Sequence, residues 1–105
     1  MTTTTTDTIA IRSLIDRWMG LDARLRIAGA CNTGEYPEEA EKIRVGKEIC
    51  ALLRGRWIKH RGIEWFEDRE QFPRVLSRIH PGSRWNAKAD DDNRKRLLAG
   101  REEVR

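Results

Sequence analysis

The sequence lacks the features that would carry the chain into or across a membrane. Its longest apolar runs, such as residues 50–53, are far shorter than the roughly 20 residues that a membrane-spanning helix needs. Met1 is followed by five threonines, with neither the basic start nor the apolar stretch of a signal peptide. Cysteine is scarce too, and without a secretory signal we expect Cys31 and Cys50 to remain thiols in a reducing compartment. The sequence therefore predicts a cytoplasmic chain that contacts no membrane.

Residues that could build a catalytic or metal site are also sparse. The two histidines and two cysteines form neither a CxxC nor an HxxxH pair, so no short motif gathers ligands around an ion. No serine stands in a GxSxG turn, and no glycine-rich loop matches a phosphate cradle. The neighbouring carboxylates lie at probable helix ends or exposed turns, where they cap helices and contact water. We predict no enzymatic activity, no metal and no cofactor.

The chain has enough residues for one domain but not for two. It contains 105 residues, of which 36% are charged and 38% hydrophobic, and its four tryptophans add apolar area that the percentage hides. We divide it into a disordered leader at residues 1–7, a single helical domain at 8–88, and a weakly docked C-terminal helix at 89–105.

Two strong helical patterns open the domain. Apolar residues recur at steps of three and four between Ile11 and Leu25, which predicts a helix from about Thr8 to Ala28. Pro37 suits the first position of a second helix, and an apolar stripe runs from Ile43 to Leu53. A short connection makes the two an antiparallel helical hairpin. The predicted fold is mostly all-α, a bundle of three to four helices whose core is drawn from Leu14, Trp18, Leu25, Ile43, Ile49, Leu53, Trp57 and Trp65.

The stretch at residues 56–66 allows two interpretations. The runs 57–60 and 63–66 tolerate β structure and are joined by Arg61-Gly62, so they can form a short β-hairpin. Alternatively, the second helix continues to His60 and stops at Gly62. We slightly favour the helical continuation, since an isolated two-stranded hairpin is marginally stable.

The rest of the chain carries weaker patterns. Residues 72–79 are typical of a short helix with Pro73 near its start. Asp90, Asp91 and Asp92 offer caps for a last helix from Asp91 to about Val104, whose few apolar residues predict weak docking.

Positive charge is concentrated in two blocks, residues 54–61 and 74–88, on either side of an acidic block at 64–70, within a net charge of +4. Arginine and lysine attract phosphates, and aromatic rings stack on unpaired bases. The acidic block could instead neutralise these cations, and Trp57 could belong to the core. The predicted binding residues are Arg54, Arg56, Lys59, Arg61, Arg74, Arg78, Arg84, Trp85 and Lys88.

Two functions remain from different classes. The first is a non-enzymatic protein-binding module, such as an adaptor, small subunit or inhibitor, of the kind that phages and plasmids commonly encode. It fits a charge-balanced surface on which Trp and Arg are typical interface anchors. The alternative is a nucleic-acid-binding module that contacts the phosphate backbone of RNA or DNA through the basic and aromatic patch. A homodimer is a further possibility, because a thin apolar hairpin is often completed by a second copy.

Overall fold

A computed structural model describes residues 5–29, 36–67, 76–79 and 87–105. These residues form three helices and one antiparallel sheet with the strand order β1-β2-β3. The prediction of a mostly helical fold, with an antiparallel helical hairpin and a short β-hairpin near residues 56–66, is confirmed. The elements are α1 (Thr5–Ile27), α2 (Pro37–Leu53), β1 (Trp57–His60), β2 (Ile63–Phe66), β3 (Ser77–Ile79) and α3 (Ala87–Leu98).

The helical hairpin follows from the apolar spacing of its two helices. Helix α1 begins slightly before the predicted Thr8 and buries Ile11 and Ile15 completely against α2 and the sheet. Helix α2 has Pro37 in its first turn, as predicted. Its buried face centres on Val45 and Ile49, and not on Ile43, which is 39% exposed. The placement of Ile43 in the core was wrong because this residue lies at the edge of the buried arc of α2.

Helix α2 ends at Leu53, so its predicted continuation to His60 is wrong. Arg54 and Gly55 both adopt positive φ, of 55° and 78°, which no α-helix can propagate through. The backbone N–H of Arg54 still donates to the carbonyl of Cys50, which closes the last turn. The helix is thus stopped by backbone geometry immediately before the strand-forming residues.

The alternative interpretation of residues 56–66, a β-hairpin, is confirmed. Trp57 lies opposite Phe66, and His60 lies opposite Ile63. Arg61 and Gly62 have φ values of 55° and 72°, the combination that a tight two-residue turn between twisted strands requires.

The third strand corrects the helix predicted at residues 72–79. Ser77–Ile79 pairs with β2 in antiparallel register, and residues 72–75 lie outside the described part of the chain. Strand β2 is therefore the central strand, with a hydrogen-bonded neighbour on each edge. Pairing with this buried strand satisfies the backbone of residues 77–79, and it overrides their local helical pattern.

The C-terminal helix also differs from its predicted bounds. Helix α3 begins at Ala87 and ends at Leu98, earlier at both ends than the predicted span from Asp91 to Val104. Beyond it the chain runs parallel to β1. The N–H of Trp57 donates to the carbonyl of Glu102 at 3.1 Å, and the N–H of Val104 donates to the carbonyl of Trp57 at 2.6 Å. Val104 is thereby carried into the main core.

The two faces of the sheet are covered by different helices. Ile58 and Trp65, which are paired across β1 and β2, pack into the main core with α1 and α2. Trp57 and Phe66 pack instead against Leu97 and Leu98 of α3 in a second, smaller cluster. Side chains alternate along a strand, so the helical hairpin covers the inner face of the sheet and α3 covers the outer face. The predicted core residues Leu14, Trp18 and Trp57 are only partly buried.

Candidate interaction surface

The first basic block is divided between structural and exposed positions. Arg56 turns back on α2: its Nε donates to the carbonyl of Leu53 at 2.7 Å, and its Nη2 donates to the carbonyl of Leu52 at 2.9 Å. The last carbonyls of a helix have no partner within the helix, and a cation there complements the helix dipole. Arg56 is thus a C-terminal cap of α2, and its guanidinium has two hydrogen bonds within the protein.

Arg61 joins the β-hairpin turn to α1. Its Nε donates to Oδ1 of Asp16 at 2.7 Å, and Nε2 of His60 lies 2.8 Å from the same oxygen. The hydrogen bond with His60, followed by that with Arg61, lowers the pKa of Asp16. The Asp16 side chain is 42% exposed, so water screens much of this attraction. The triad of Asp16, His60 and Arg61 is best described as a surface clasp between two elements.

Arg54 and Lys59 are exposed, as is Arg61. Arg54 occupies the left-handed position after α2, and Lys59 lies on the outer face of β1, two residues from Trp57. Trp57 itself is partly buried against α3 and offers only part of its ring to a ligand.

The second basic block falls largely outside the described residues. Arg74, Arg84 and Trp85 lie outside the described part of the chain. Arg78 lies in β3 opposite Trp65, and not in the short helix that was predicted at residues 72–79. Lys88 is exposed in the first turn of α3. Convergence of the two basic blocks into one groove stays a prediction.

Glu64, the first residue of the acidic block, pairs with a residue of α3, a contact that the sequence did not suggest. Glu64 is only 1% exposed, and its Oε1 accepts a hydrogen bond from Nη2 of Arg94 at 2.5 Å. This hydrogen bond raises the pKa of Arg94. The pairing could not be read from the sequence because it joins the outer face of β2 to α3, 30 residues away. The sequence indicated only that an acidic residue stands in a run that tolerates β structure. It did not indicate which face of the sheet that residue would occupy.

The large apolar side chains that are exposed among the described residues all belong to the helical hairpin and the residue that precedes α2. Ile27 is 88% exposed and Ile9 is 63% exposed, and Ile43 and Tyr36 follow at 39% and 38%. Ile9 and Ile27 are 18 residues apart, which is five helical turns, so they share one side of α1. That spacing was available in the sequence, and both residues fall off the apolar stripe that predicted the core. Ile27 and Tyr36 lie at the end of the hairpin where the chain passes from α1 to α2.

Other chemistry finds little support in the described ranges. Burial, with a smaller contribution from the charge of Glu67, raises the pKa of the Cys50 thiol to about 12, so this sulfur is protonated at neutral pH. No group of three or more metal-binding side chains occurs in that part of the chain. Cys31 lies outside it, so the state of the two cysteines as a pair stays a prediction. Across the same ranges, no helix has the length and apolar character to cross a membrane.

Comparison of the chain with protein-family models, curated proteins and solved structures found no match.

Proposed function

We propose that the protein is a non-enzymatic protein-binding module, an adaptor, small subunit or inhibitor that acts in the cytoplasm. It binds its partner through the helical hairpin, at the end that carries Ile27 and Tyr36. Ile43 belongs to the same half of the hairpin, about 10 Å along α2 from Tyr36 at 1.5 Å of rise per residue. These three residues are named the hairpin-end surface.

The observation that carries this proposal is the distribution of exposed apolar side chains. Within the described ranges, the exposed isoleucines and Tyr36 are confined to the helical hairpin and its connection, whereas α3 presents charged residues to solvent. Single exposed apolar residues are ordinary, but three in one half of a hairpin supply apolar area that water disfavours. Tyrosine is also enriched in protein interfaces.

Internal hydrogen bonds favour this function over nucleic-acid binding. Arg56 donates to two carbonyls of α2, and Arg61, although exposed, donates to Asp16, which leaves Arg54 and Lys59 as the exposed cations of the first block without such a bond among the described residues. Affinity for phosphate grows with the number of cations that can reach the backbone. Within the first block, two cations without an internal bond give a weak phosphate site, so nucleic-acid binding becomes an outcome of the test.

The test is recovery of a specific partner by the tagged protein from its native cells, compared between two matched double variants. Ile27→Glu with Ile43→Glu places charge on the hairpin-end surface. Asn93→Glu with Ala99→Glu makes the same charge change at exposed positions in α3 and in the turn that follows it. We expect the first pair to lose the partner by more than tenfold and the second pair to retain it, with both variants folded by circular dichroism.

Nuclease treatment separates the competing outcomes. Recovery that disappears after nuclease, together with affinity for RNA or DNA that falls steeply with salt, would replace the proposal with the nucleic-acid alternative. A partner retained equally by both double variants would show that the hairpin-end surface is not the interface. If the partner is a second copy of this chain, sedimentation of the purified protein will show a dimer that the isoleucine variant dissociates.

A further inference from the structure

Helix α3 has little apolar surface with which to hold its position. Seven of its 12 residues are charged, and its apolar contact with the sheet is made by Leu97 and Leu98. These two side chains touch a small cluster that is separate from the main core of α1, α2 and the inner face of the sheet. A helix of this length is marginal in water by itself, so it depends on docking to stay folded.

The polar contact that docks α3 is incompletely satisfied. Glu64 is buried and bonded to Arg94 through Oε1, but its Oε2 is buried without a hydrogen-bond partner among the described residues. Oδ2 of Asp90, one turn before Arg94 on the same helix face, is in the same state. A buried carboxylate oxygen without a donor loses its hydration and gains nothing in return. Undocking α3 returns both oxygens to water.

The chain on the C-terminal side of α3 is anchored independently. Val104 lies in the main core, and residues 102–104 are hydrogen-bonded to the backbone of Trp57. Between this anchor and α3 lies Gly100, with a φ of 78°. The helix can therefore leave the sheet by rotation near Gly100 while the following segment stays attached.

We infer that α3 is a displaceable cover over the outer face of the sheet. It opens and closes while α1, α2 and the sheet remain folded. Opening exposes the parts of the Trp57 and Phe66 rings that contact Leu97 and Leu98, next to Lys59. Arg101, which lies beyond Gly100, remains over the Phe66 ring at 4.9 Å. This inference stands on the contacts of α3 and is independent of the hairpin-end surface.

Native-state hydrogen exchange of the full chain tests the cover directly. In the wild type, we expect amides of α3 to exchange through an opening at least about tenfold more populated than the opening that exposes amides of α1 and α2. That opening will depend weakly on denaturant, because little surface is exposed. Exchange of α3 at the same opening free energy and denaturant dependence as the hairpin would overturn the inference.

Two variants examine the contacts that hold the cover. Glu64→Gln removes the charge opposite Arg94, and Leu97→Ala trims only the apolar contact on the α3 side. Each should accelerate exchange in α3 by about tenfold or more and leave α1 and α2 within about twofold. The control is Asp92→Asn, which removes a charge at an exposed position of α3 and should change exchange by less than about threefold. Equal acceleration in α1, α2 and α3 would show that the helix unfolds only with the core, and would refute the cover.

Discussion

Gly20 should limit the stability of α1, and replacing it with alanine should stabilise the protein. The residue lies inside the 23-residue helix, where glycine costs about 0.8–1 kcal/mol relative to alanine because its unfolded backbone is freer. A packed neighbour could have required glycine at this position. However, a Cβ built on Gly20 meets no atom within 4 Å beyond the nearby backbone of its own helix and its chain neighbours. We therefore expect Gly20→Ala to raise the free energy of unfolding by about 1 kcal/mol, close to the full helix-propensity difference.

Gly62 supplies a matched control that differs only in backbone geometry. A Cβ at Gly62 also meets nothing within 4 Å, but this residue has a φ of 72° in the turn between β1 and β2. An L-residue in the left-handed region is strained by about 1–2 kcal/mol. Gly62→Ala should therefore destabilise the protein by about 1 kcal/mol or more, although the side-chain change is identical.

Thermal and urea unfolding monitored by circular dichroism measure both variants. One kcal/mol shifts the midpoint of a domain of this size by about 4–8 °C, so Gly20→Ala should melt above the wild type and Gly62→Ala below it. The urea slope should stay constant in both, because neither change alters the surface exposed on unfolding. A Gly20→Ala protein that melts at or below the wild-type temperature would refute the assignment of open space beside that residue.

Three further comparisons use neighbouring or contacting residues. Arg56→Ala should lower the free energy of unfolding in urea by about 1 kcal/mol, because the cap of α2 is lost. Arg54→Gly should raise it by about 0.5–1 kcal/mol, because glycine tolerates the left-handed backbone there. Equal effects of the two variants would contradict the two assigned roles. Trp65→Ala, at a fully buried site, should cost about 3–5 kcal/mol. Trp18→Ala should cost less, because that ring is partly exposed and meets Trp65 edge-on at 5.8 Å; a larger loss for Trp18 would reverse the ranking. Since the folded pKa of Asp16 is lowered, its contribution is present above the ordinary value near 3.9 and lost as pH falls through the folded value. Asp16→Asn should therefore reduce the change in the free energy of unfolding between about pH 5 and 2, by less than about 1 kcal/mol. A pH profile identical to that of the wild type would contradict the clasp.

Local patterns predicted the elements of the fold better than their ends. The spacing of Ile11, Ile15 and Leu25 identified α1, and the position of Pro37 identified the start of α2. The end of α2 was misplaced because Arg54 gives no sign in its side chain of a left-handed backbone. Residues 77–79 were misassigned for a different reason: their strand depends on hydrogen bonds to β2, a partner more than ten residues away whose position no local pattern encodes.

The candidate site was harder to predict than the fold because it depends on which charges are already in use. The sequence shows that cations cluster around Trp57, but it cannot show that Arg56 caps a helix or that Arg61 binds Asp16. The Arg61 bond depends on the β-hairpin folding back beside α1, and the Arg56 bonds depend on α2 ending at Leu53, which the sequence did not predict. Ile9 and Ile27 were easier to infer in principle, since a residue off the apolar stripe of a surface helix faces solvent, whereas Ile43 stood on the predicted stripe and was misplaced.

The partition of charge in this protein separates residues that hold the fold from residues available to a partner. Arg56, Arg61 and Arg94 each contact an acceptor on a different element or at a helix end. Removing Arg56 or Arg94 takes a donor from a helix-end carbonyl or from a buried carboxylate, whereas removing Arg61 leaves the partly exposed Asp16 to His60 and water. Arg54 and Lys59 are exposed, so substituting them should change long-range attraction to charged partners more than stability. A basic cluster in a small domain can therefore contain two physically different sets of cations. For this chain, reversing the charge of Arg54 and Lys59 together tests binding, whereas any substitution of the other three tests folding first.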